Sequence, residues 1–484
     1  MKQIRGLGYM ELVISRAHDN FSGALHVVSI FHIEGLINVD NLIKSLQILY
    51  IQHPLLKAKI NNTPGKSLFE VDESVHKFED VPIIVKARRN DAHWEDVMGA
   101  ELKHPLQINK SLWRATILHE SNTTQSQCEL IFSFHHAISD VISTAYFIKD
   151  MLIYYDNLQN SKLNEKINQP TLPLLPPIEQ LLEKSTTWQQ HLGNLSKYDF
   201  TAATLCNFEE KASLKERQPK AIFKQLEEEQ VQLIQEHCKE NGVTVGAALN
   251  AAMLLSAQKL YGKNLNILLP IAVNLRPYCK EKLENNHFGF YAGLVPMIYK
   301  DINENSNFWS LAYLYQNNLT TMINDFALLP KEFDINILEA MHHVEARNTK
   351  EDHSFNSGFA VISNCGKLDI PLEYGSVRLK SFNSFASNLL STWGVILTIS
   401  TIQSKMFLSF NYASPLLGEK QALFLADTFM STLLRNCSNE LVKHRKNTLP
   451  TSFFCSQHPI PTPQYGGNSI EERDDMDIHQ FSPQ

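Results

Sequence analysis

The run Cys128-Glu129-Leu130-Ile131-Phe132-Ser133-Phe134-His135-His136-Ala137-Ile138-Ser139-Asp140 constrains this chain most. Its first seven residues are dense in apolar, β-branched and aromatic side chains, which predicts a buried strand. The spacing of Val141, Thr144, Ala145 and Ile148 predicts a helix that starts at Asp140, with the carboxylate as its cap. The two histidines therefore fall where a strand end meets a helix start, a place where α/β folds bring backbone to ligands. Adjacent residues of an extended chain point to opposite faces, so one histidine can look into a given cavity while the other packs.

An imidazole titrates near roughly pH 6.5, so a neutral histidine in a dry cleft accepts a proton at physiological pH and suits activation of a hydroxyl or amine. The blander reading of the pair is packing or surface. A metal reading would place His136 and Asp140 on one helical face, but a zinc site wants three or four convergent ligands and the sequence offers no obvious third. No metal is expected.

With 484 residues and 43% hydrophobic content, the chain is long enough for two domains of ordinary size. A net charge of -7 with no sustained Lys/Arg stripe argues against a nucleic-acid partner. The seven cysteines are scattered and odd in number, without a C-x-x-C, which reads as free thiols in a reducing compartment. The N-terminus lacks the apolar core of a signal peptide, and apolar runs such as 267–273 are too short to span a bilayer. A cytoplasmic protein is expected.

Along the chain, 21–33 reads as a strand and Asp40 as the cap of a helix carrying Leu42, Ile43, Leu46, Leu49 and Tyr50, ended by Pro54. Further strands are predicted over 67–71 and 113–119, giving an α+β first domain. Residues 157–178, rich in Asn, Gln and Lys with prolines at 170, 173, 176 and 177, read as a linker or crossover. Helices are predicted over 227–241 and 244–261, the second apolar nearly all round and hence a core helix. A strand over 266–273 leads into Asn274-Leu275-Arg276-Pro277, and a later strand ends in Val361-Ile362-Ser363-Asn364-Cys365-Gly366. Strands over 395–401 and 405–412 and a helix over 419–434 follow. The expected division is 1–170, 171–455 and a disordered tail, 456–484, whose charged run 471–475 is solvated. Met341-His342-His343-Val344-Glu345, with Arg347, reads as the polar face of a helix.

In order and approximate spacing, these motifs resemble the CoA-dependent acyltransferase superfamily: chloramphenicol acetyltransferase, alcohol and polyketide-associated acyltransferases, and peptide-synthetase condensation domains. The family's His-His-x-x-x-Asp-Gly stands here as His135 to Asp140 with Val141 in the glycine position. The blocks 5–11, 53–60, 111–115, 273–277, 286–293 and 362–366 extend the likeness over about residues 1 to 450. The free-standing enzymes are more similar than the plant branch, because Asp-Phe-Gly-Trp-Gly is absent and Trp393-Gly394 is only an echo. No carrier or adenylation segment is apparent, so a modular peptide synthetase is not expected.

The resemblance implies an α/β fold with mixed sheets, in which two chloramphenicol-acetyltransferase-like subdomains face each other across a tunnel. It implies that His136 is the general base, that Asp140 pairs with Arg276, and that His135 supports the loop. Gly289, Ser363, Asn364 and Gly366 would line the tunnel, though turn duty or a strand end also explains them, and Phe288, Phe290, Tyr291, Phe382 and Phe385 would line or plug it. The expected function is an O-acyltransferase of secondary metabolism that moves an acyl group from acyl-CoA or an acyl carrier protein to a hydroxyl of a small or lipid-like metabolite. The transfer would be direct, without a serine or cysteine nucleophile and with no cofactor beyond the thioester co-substrate. A monomer is expected. An amide-forming condensation enzyme is one alternative. A non-catalytic binder of an acylated carrier or metabolite is another, motivated by Val141, whose β-branch narrows backbone geometry that glycine leaves free.

Overall fold

In a computed structural model, residues 2–438 are described except 64–65, 73, 75, 121–125, 161–169, 185, 188, 191–192, 194–209, 263, 328–329, 331–357 and 391–392. The predicted tail, the 341–347 stretch, Cys206 and Cys455 lie outside the described residues.

Two six-stranded mixed sheets organise the chain. The first contains β2 (Val27–Gly35), β5 (Ile83–Ala87), β6 (Trp113–His119), β7 (Ser126–Phe134), β14 (Glu373–Tyr374) and β15 (Val377–Ala386), in the order β14-β15-β2-β7-β6-β5. β7 lies at its centre, antiparallel to β2 and β6, and eight of its nine residues are buried. Its unbroken apolar run is the signature of a strand covered on both faces. The second sheet contains β8 (Gln218–Leu226), β10 (Ile271–Asn274), β11 (Ala292–Val295), β13 (Gly358–Leu368), β16 (Trp393–Ile402) and β17 (Lys405–Ser414), ordered β11-β10-β13-β16-β17-β8. A hairpin sheet of β1 (Lys2–Gly6), β3 (Ala58–Thr63) and β4 (Lys66–Asp72) and a pair of β9 (Leu265–Leu268) with β12 (Ile298–Ile302) complete the strands described.

The sheets exchange chain. After β13 in the second sheet, the polypeptide crosses to supply β14 and β15 to the first, where β15 pairs with β2 along its length, and then returns as β16. The first sheet is thus built from both halves of the sequence.

Helices α1 (Tyr9–Asn20), α2 (Val39–Gln52), α3 (His93–Lys103), α4 (Val141–Gln159), the single turn α5 (Ile178–Leu181), α6 (Glu228–Glu240), α7 (Val245–Tyr261), α8 (Phe308–Met322) and α9 (Glu419–Asn436) cover the sheets. The alanine-rich α7 is a core helix as its composition predicts, capped by Thr244, whose hydroxyl accepts from the Ala247 N–H. Three expectations change. Asn38, not Asp40, caps α2, accepting from the Asn41 N–H, and Asp40 falls in the first turn, where the helix dipole favours an anion. The strand expected from Phe21 begins at Val27, because Ser22, Gly23 and Leu25 adopt positive φ in a turn. The strand over 266–273 is two strands, β9 and β10, split at Leu269-Pro270; proline has no N–H for a ladder, and its carbonyl instead accepts from the Ile362 N–H. Among the described residues no single helix is long and apolar enough to cross a membrane.

Candidate active site

β7 delivers the histidines. His135 leaves the sheet with φ −65° and ψ 125° and caps a single 3-10 turn, His136–Ile138, after which Asp140 caps α4. The His135 ring is fully buried, and its Nδ1 accepts from the Ala137 N–H at 3.2 Å. Burial drives its pKa well below the ordinary value, so it is a neutral structural group that shapes the turn.

His136 is half-buried and differently wired. Its Nδ1 stands 2.6 Å from the Ser139 carbonyl oxygen. A carbonyl only accepts, so Nδ1 carries the hydrogen and Nε2 carries the lone pair. The Phe290 ring stands perpendicular to the imidazole at 5.2 Å. Burial lowers the His136 pKa, with the Ser139 bond and the Asp140 charge opposing, so the ring is neutral near pH 7.

Both oxygens of Asp140 are engaged away from His136. Oδ1 accepts from the Ser143 N–H at 2.7 Å and from Arg276 Nη2 at 3.2 Å, and Oδ2 accepts from Arg276 Nη1 at 3.0 Å and the Tyr291 N–H at 2.9 Å. Arg276 also donates to Ser143 Oγ at 2.7 Å and Asn274 Oδ1 at 3.3 Å, and its guanidinium lies 4.7 Å from the centre of the Tyr291 ring. Both members of the ion pair are 5% exposed. The pair joins α4 of the first sheet's helix layer to the turn after β10 of the second sheet and fixes the two relative to each other.

Gly289 belongs to the same junction. Its carbonyl accepts from the Asp140 N–H at 3.2 Å and from Ser143 Oγ at 2.7 Å. A Cβ there would lie 2.5 Å from the Tyr291 ring, which is why the position holds glycine. Ser363, Asn364 and Gly366 stand on β13. Ser363 pairs in parallel with Ala272 and Thr398, and Asn364 Oδ1 accepts from the Gly366 N–H at 3.0 Å. Gly366 takes φ +69° where the β13–β16 register shifts, a backbone requirement for glycine. Cys365 between them lies close enough to Asp140 and Arg276 to feel both charges, but burial pushes its thiol up to about 12, which disarms it as a nucleophile. Phe382 and Phe385 are core residues, stacked on Phe31 and edge-on to Phe223.

Ser143, Asn274 and the Ser139 carbonyl are partners that motif reading passes over. Ser143 has a local signal, standing three residues after a helix cap, and Asn274 stands two before the arginine. No group of three or more His, Cys, Asp or Glu that could hold a metal occurs among the described residues.

The two-sheet architecture is that of a class of acyl-transferring and condensing enzymes. Trichothecene 15-O-acetyltransferase TRI3 of Fusarium sporotrichioides is similar at a TM-score of 0.71 and 12% identity, over 90% of this chain and 96% of that one. The first condensation domain of the calcium-dependent antibiotic synthetase gives 0.68 at 12%, over 90% and 97%. Polyketide synthase associated protein 5 of Mycobacterium tuberculosis gives 0.60 at 13%, over 89% and 98%. At such identities the likeness establishes the fold. The sequence profile of the alcohol acetyltransferase family matches residues 88–437, and the chain belongs to that family of acyltransferases. No curated protein matches it by sequence.

Proposed function

We propose that this chain moves an acyl group from a CoA or carrier-protein thioester to a hydroxyl of a small or lipid-like metabolite, with His136 as general base. The observation that carries this reading is the His136 Nδ1 to Ser139 carbonyl bond, which leaves a lone pair on Nε2. Nε2 takes the hydroxyl proton as the oxygen attacks the thioester carbonyl. The tetrahedral adduct then collapses, the carbon–sulfur bond breaks, and the departing sulfur receives the proton from Nε2. Such base catalysis contributes about 10² to 10⁴ in rate.

Val141 opens α4, where a first-turn N–H has no intrahelical acceptor and the helix dipole favours developing negative charge. Its backbone is helical, and it is not among the positive-φ residues, so the valine sits there without the strain that would have argued for a non-catalytic protein. The alcohol acetyltransferase profile favours a hydroxyl acceptor. The condensation-domain likeness supports a second reading, an amine acceptor, since the same lone pair serves it.

The test is thiol release from acetyl-, medium- and long-chain acyl-CoA and from an acylated carrier protein, each with alcohol and amine acceptors. Release with alcohols is expected, and release confined to amines selects the second reading. His136→Ala should lose about 10² to 10⁴ of the rate with its thermal melt nearly unchanged; a fully active variant sinks the assignment. The wild-type rate should rise with pH to a plateau, with a midpoint below the ordinary histidine value, because burial lowers the pKa of the base.

A further inference from the structure

The first sheet ends on an open edge. β5 pairs in parallel with β6 along its whole length, and no strand lies on its other side among the described residues. The Pro82 carbonyl accepts from the Ala115 N–H and the Arg88 N–H donates to the His119 carbonyl, so the even-numbered residues turn their backbone groups to β6. Those of Ile83, Val85 and Ala87 face outward, a row that a further strand completes. Pro82 does not block it, since its nitrogen is on the inner side.

Both hydrophobic layers of the sheet run out at this edge. Ile84 stands beside Thr116, on the face of Leu118 that Val97, Met98 and Leu102 of α3 cover, and Val85 stands beside Ile117 on the opposite face. Ile84 and Val85 are 46% and 47% exposed. The edge of the second sheet, β8, is different: Phe223 is half-buried against Trp94 at 4.9 Å, and Lys224 pairs with Asp427 of α9.

The charges along β5 are ordered. Exposed Glu79 and Asp80 precede the strand, exposed Lys86 lies near its end, and none of the three has an ion pair among the described residues. A parallel copy of the strand would set like charge beside like. A copy related by a two-fold axis runs antiparallel and sets acid beside base.

We propose that β5 is a self-association edge, on which a second copy of this chain adds its own β5 antiparallel about a two-fold axis at Ile84. Ile84 then meets Ile84 of the second copy at a non-hydrogen-bonded position, while Ile83 and Val85 exchange backbone hydrogen bonds with Val85 and Ile83 of that copy. Lys86 lies on the diagonal from Asp80 of the second copy, within reach of its side chain. The first sheets of the two copies become one continuous sheet. An interface built on one strand pair is small, so the dimer forms reversibly with concentration, in place of the monomer expected from the sequence. None of the residues of the candidate active site takes part, so the proposal stands or falls separately from acyl transfer.

The test is sedimentation velocity of the full chain from about 1 to 100 µM, over which the dimer fraction should rise. Val85→Pro removes an outward N–H that β6 does not use, and should leave a monomer across that range with the wild-type melt. Lys86→Glu and Asp80→Lys should each weaken self-association about tenfold. An equimolar mixture of those two variants should associate well beyond either alone, because each charge contact in the heterodimer is again acid on base; this arm decides the matter if Val85→Pro does not fold. Ile84→Cys should give a disulfide-linked dimer under mild oxidation, whereas Ala87→Cys, about 20 Å from its own counterpart in this pairing, should stay at the wild-type background. A chain monomeric throughout, a folded Val85→Pro variant that still dimerises, a mixture no more associated than its components, or equal crosslinking of the two cysteine variants would overturn the proposal.

Discussion

Asp140 and Glu179 are both buried carboxylates that tie a helix N-terminus to a distant part of the chain, but their surroundings leave them in opposite conditions. Asp140 accepts from the first turn of α4 and from Arg276 and Tyr291, 136 and 151 residues away in sequence, so each of its oxygens has two donors. Glu179 accepts from the first turn of α1 and keeps one oxygen unpaired among the described residues. The difference lies in the neighbours: Asp140 has a guanidinium to itself, whereas the guanidinium nearest Glu179 is committed to Glu11. A saturated carboxylate fixes geometry and has little left to offer a ligand. An unsaturated one has its charge neutralised by a proton, which it holds more tightly than a solvated carboxylate does.

The comparison breaks most readily at Asp140. Asp140→Ala leaves Arg276 buried without its partner and should cost about 3 to 5 kcal/mol in denaturant unfolding. A loss near zero would mean that the junction does not hold the two sheets' elements together.

Glu179→Gln should act in the other direction, and only at high pH. The folded carboxyl titrates near 7, above the ordinary 4.5, so it binds a proton more tightly in the folded chain than in the unfolded one. Its favourable contribution is fully present below about pH 4.5 and is lost as pH rises through about 7. The glutamine variant should therefore match the wild type near pH 4 and exceed it near pH 8 by up to about 3 kcal/mol. A variant less stable than wild type at pH 8 would show that Glu179 is satisfied after all.

Ser143→Ala sharpens the contrast from the saturated side. The hydroxyl accepts from Arg276 and the Gly289 N–H and donates to the Gly289 carbonyl, and its removal strands buried partners at a cost of about 1 to 3 kcal/mol. Equal melts for variant and wild type would assign the whole junction to the ion pair. The smallest effect belongs to Val141→Gly, which restores the superfamily's glycine at the first position of α4. It should lower stability by about 0.5 to 1 kcal/mol without raising the acyl-transfer rate, because the valine is already helical; a faster variant would show that backbone freedom there limits the chemistry.

Where a signal was local, it was legible. The continuous apolar run of β7, the period of α4 and α7, and the cap at Asp140 follow from neighbours within four residues, and the structure has them. The pairing of Asp140 with Arg276 came from the resemblance, since nothing local links residues 136 apart, and the hydrogen bonds bear it out. Proline at 270 marked the break in a strand otherwise read as continuous, and the positive φ values at 22, 23 and 25 delayed β2 with only Gly23 as a hint. Glu179 stands immediately after the stretch 157–178, whose prolines and amides read as a linker. No local pattern could reveal that its carboxyl would be buried against α1.

By itself, the sequence determined which segments become strands and helices, that one histidine of the pair would pack while its neighbour stayed available, and that Asp140 would open α4. These depend on side-chain period, capping and the alternation of an extended chain, all of short range. Only the tertiary structure decided that β14 and β15 complete the first sheet, that the Ser139 carbonyl sets the His136 tautomer, and that Tyr291, Ser143 and Asn274 saturate the Asp140–Arg276 pair while Glu179 is left one donor short. The physical reason is that a buried polar group is satisfied by whatever the packing brings within about 3 Å, and that inventory is settled between segments far apart in the chain.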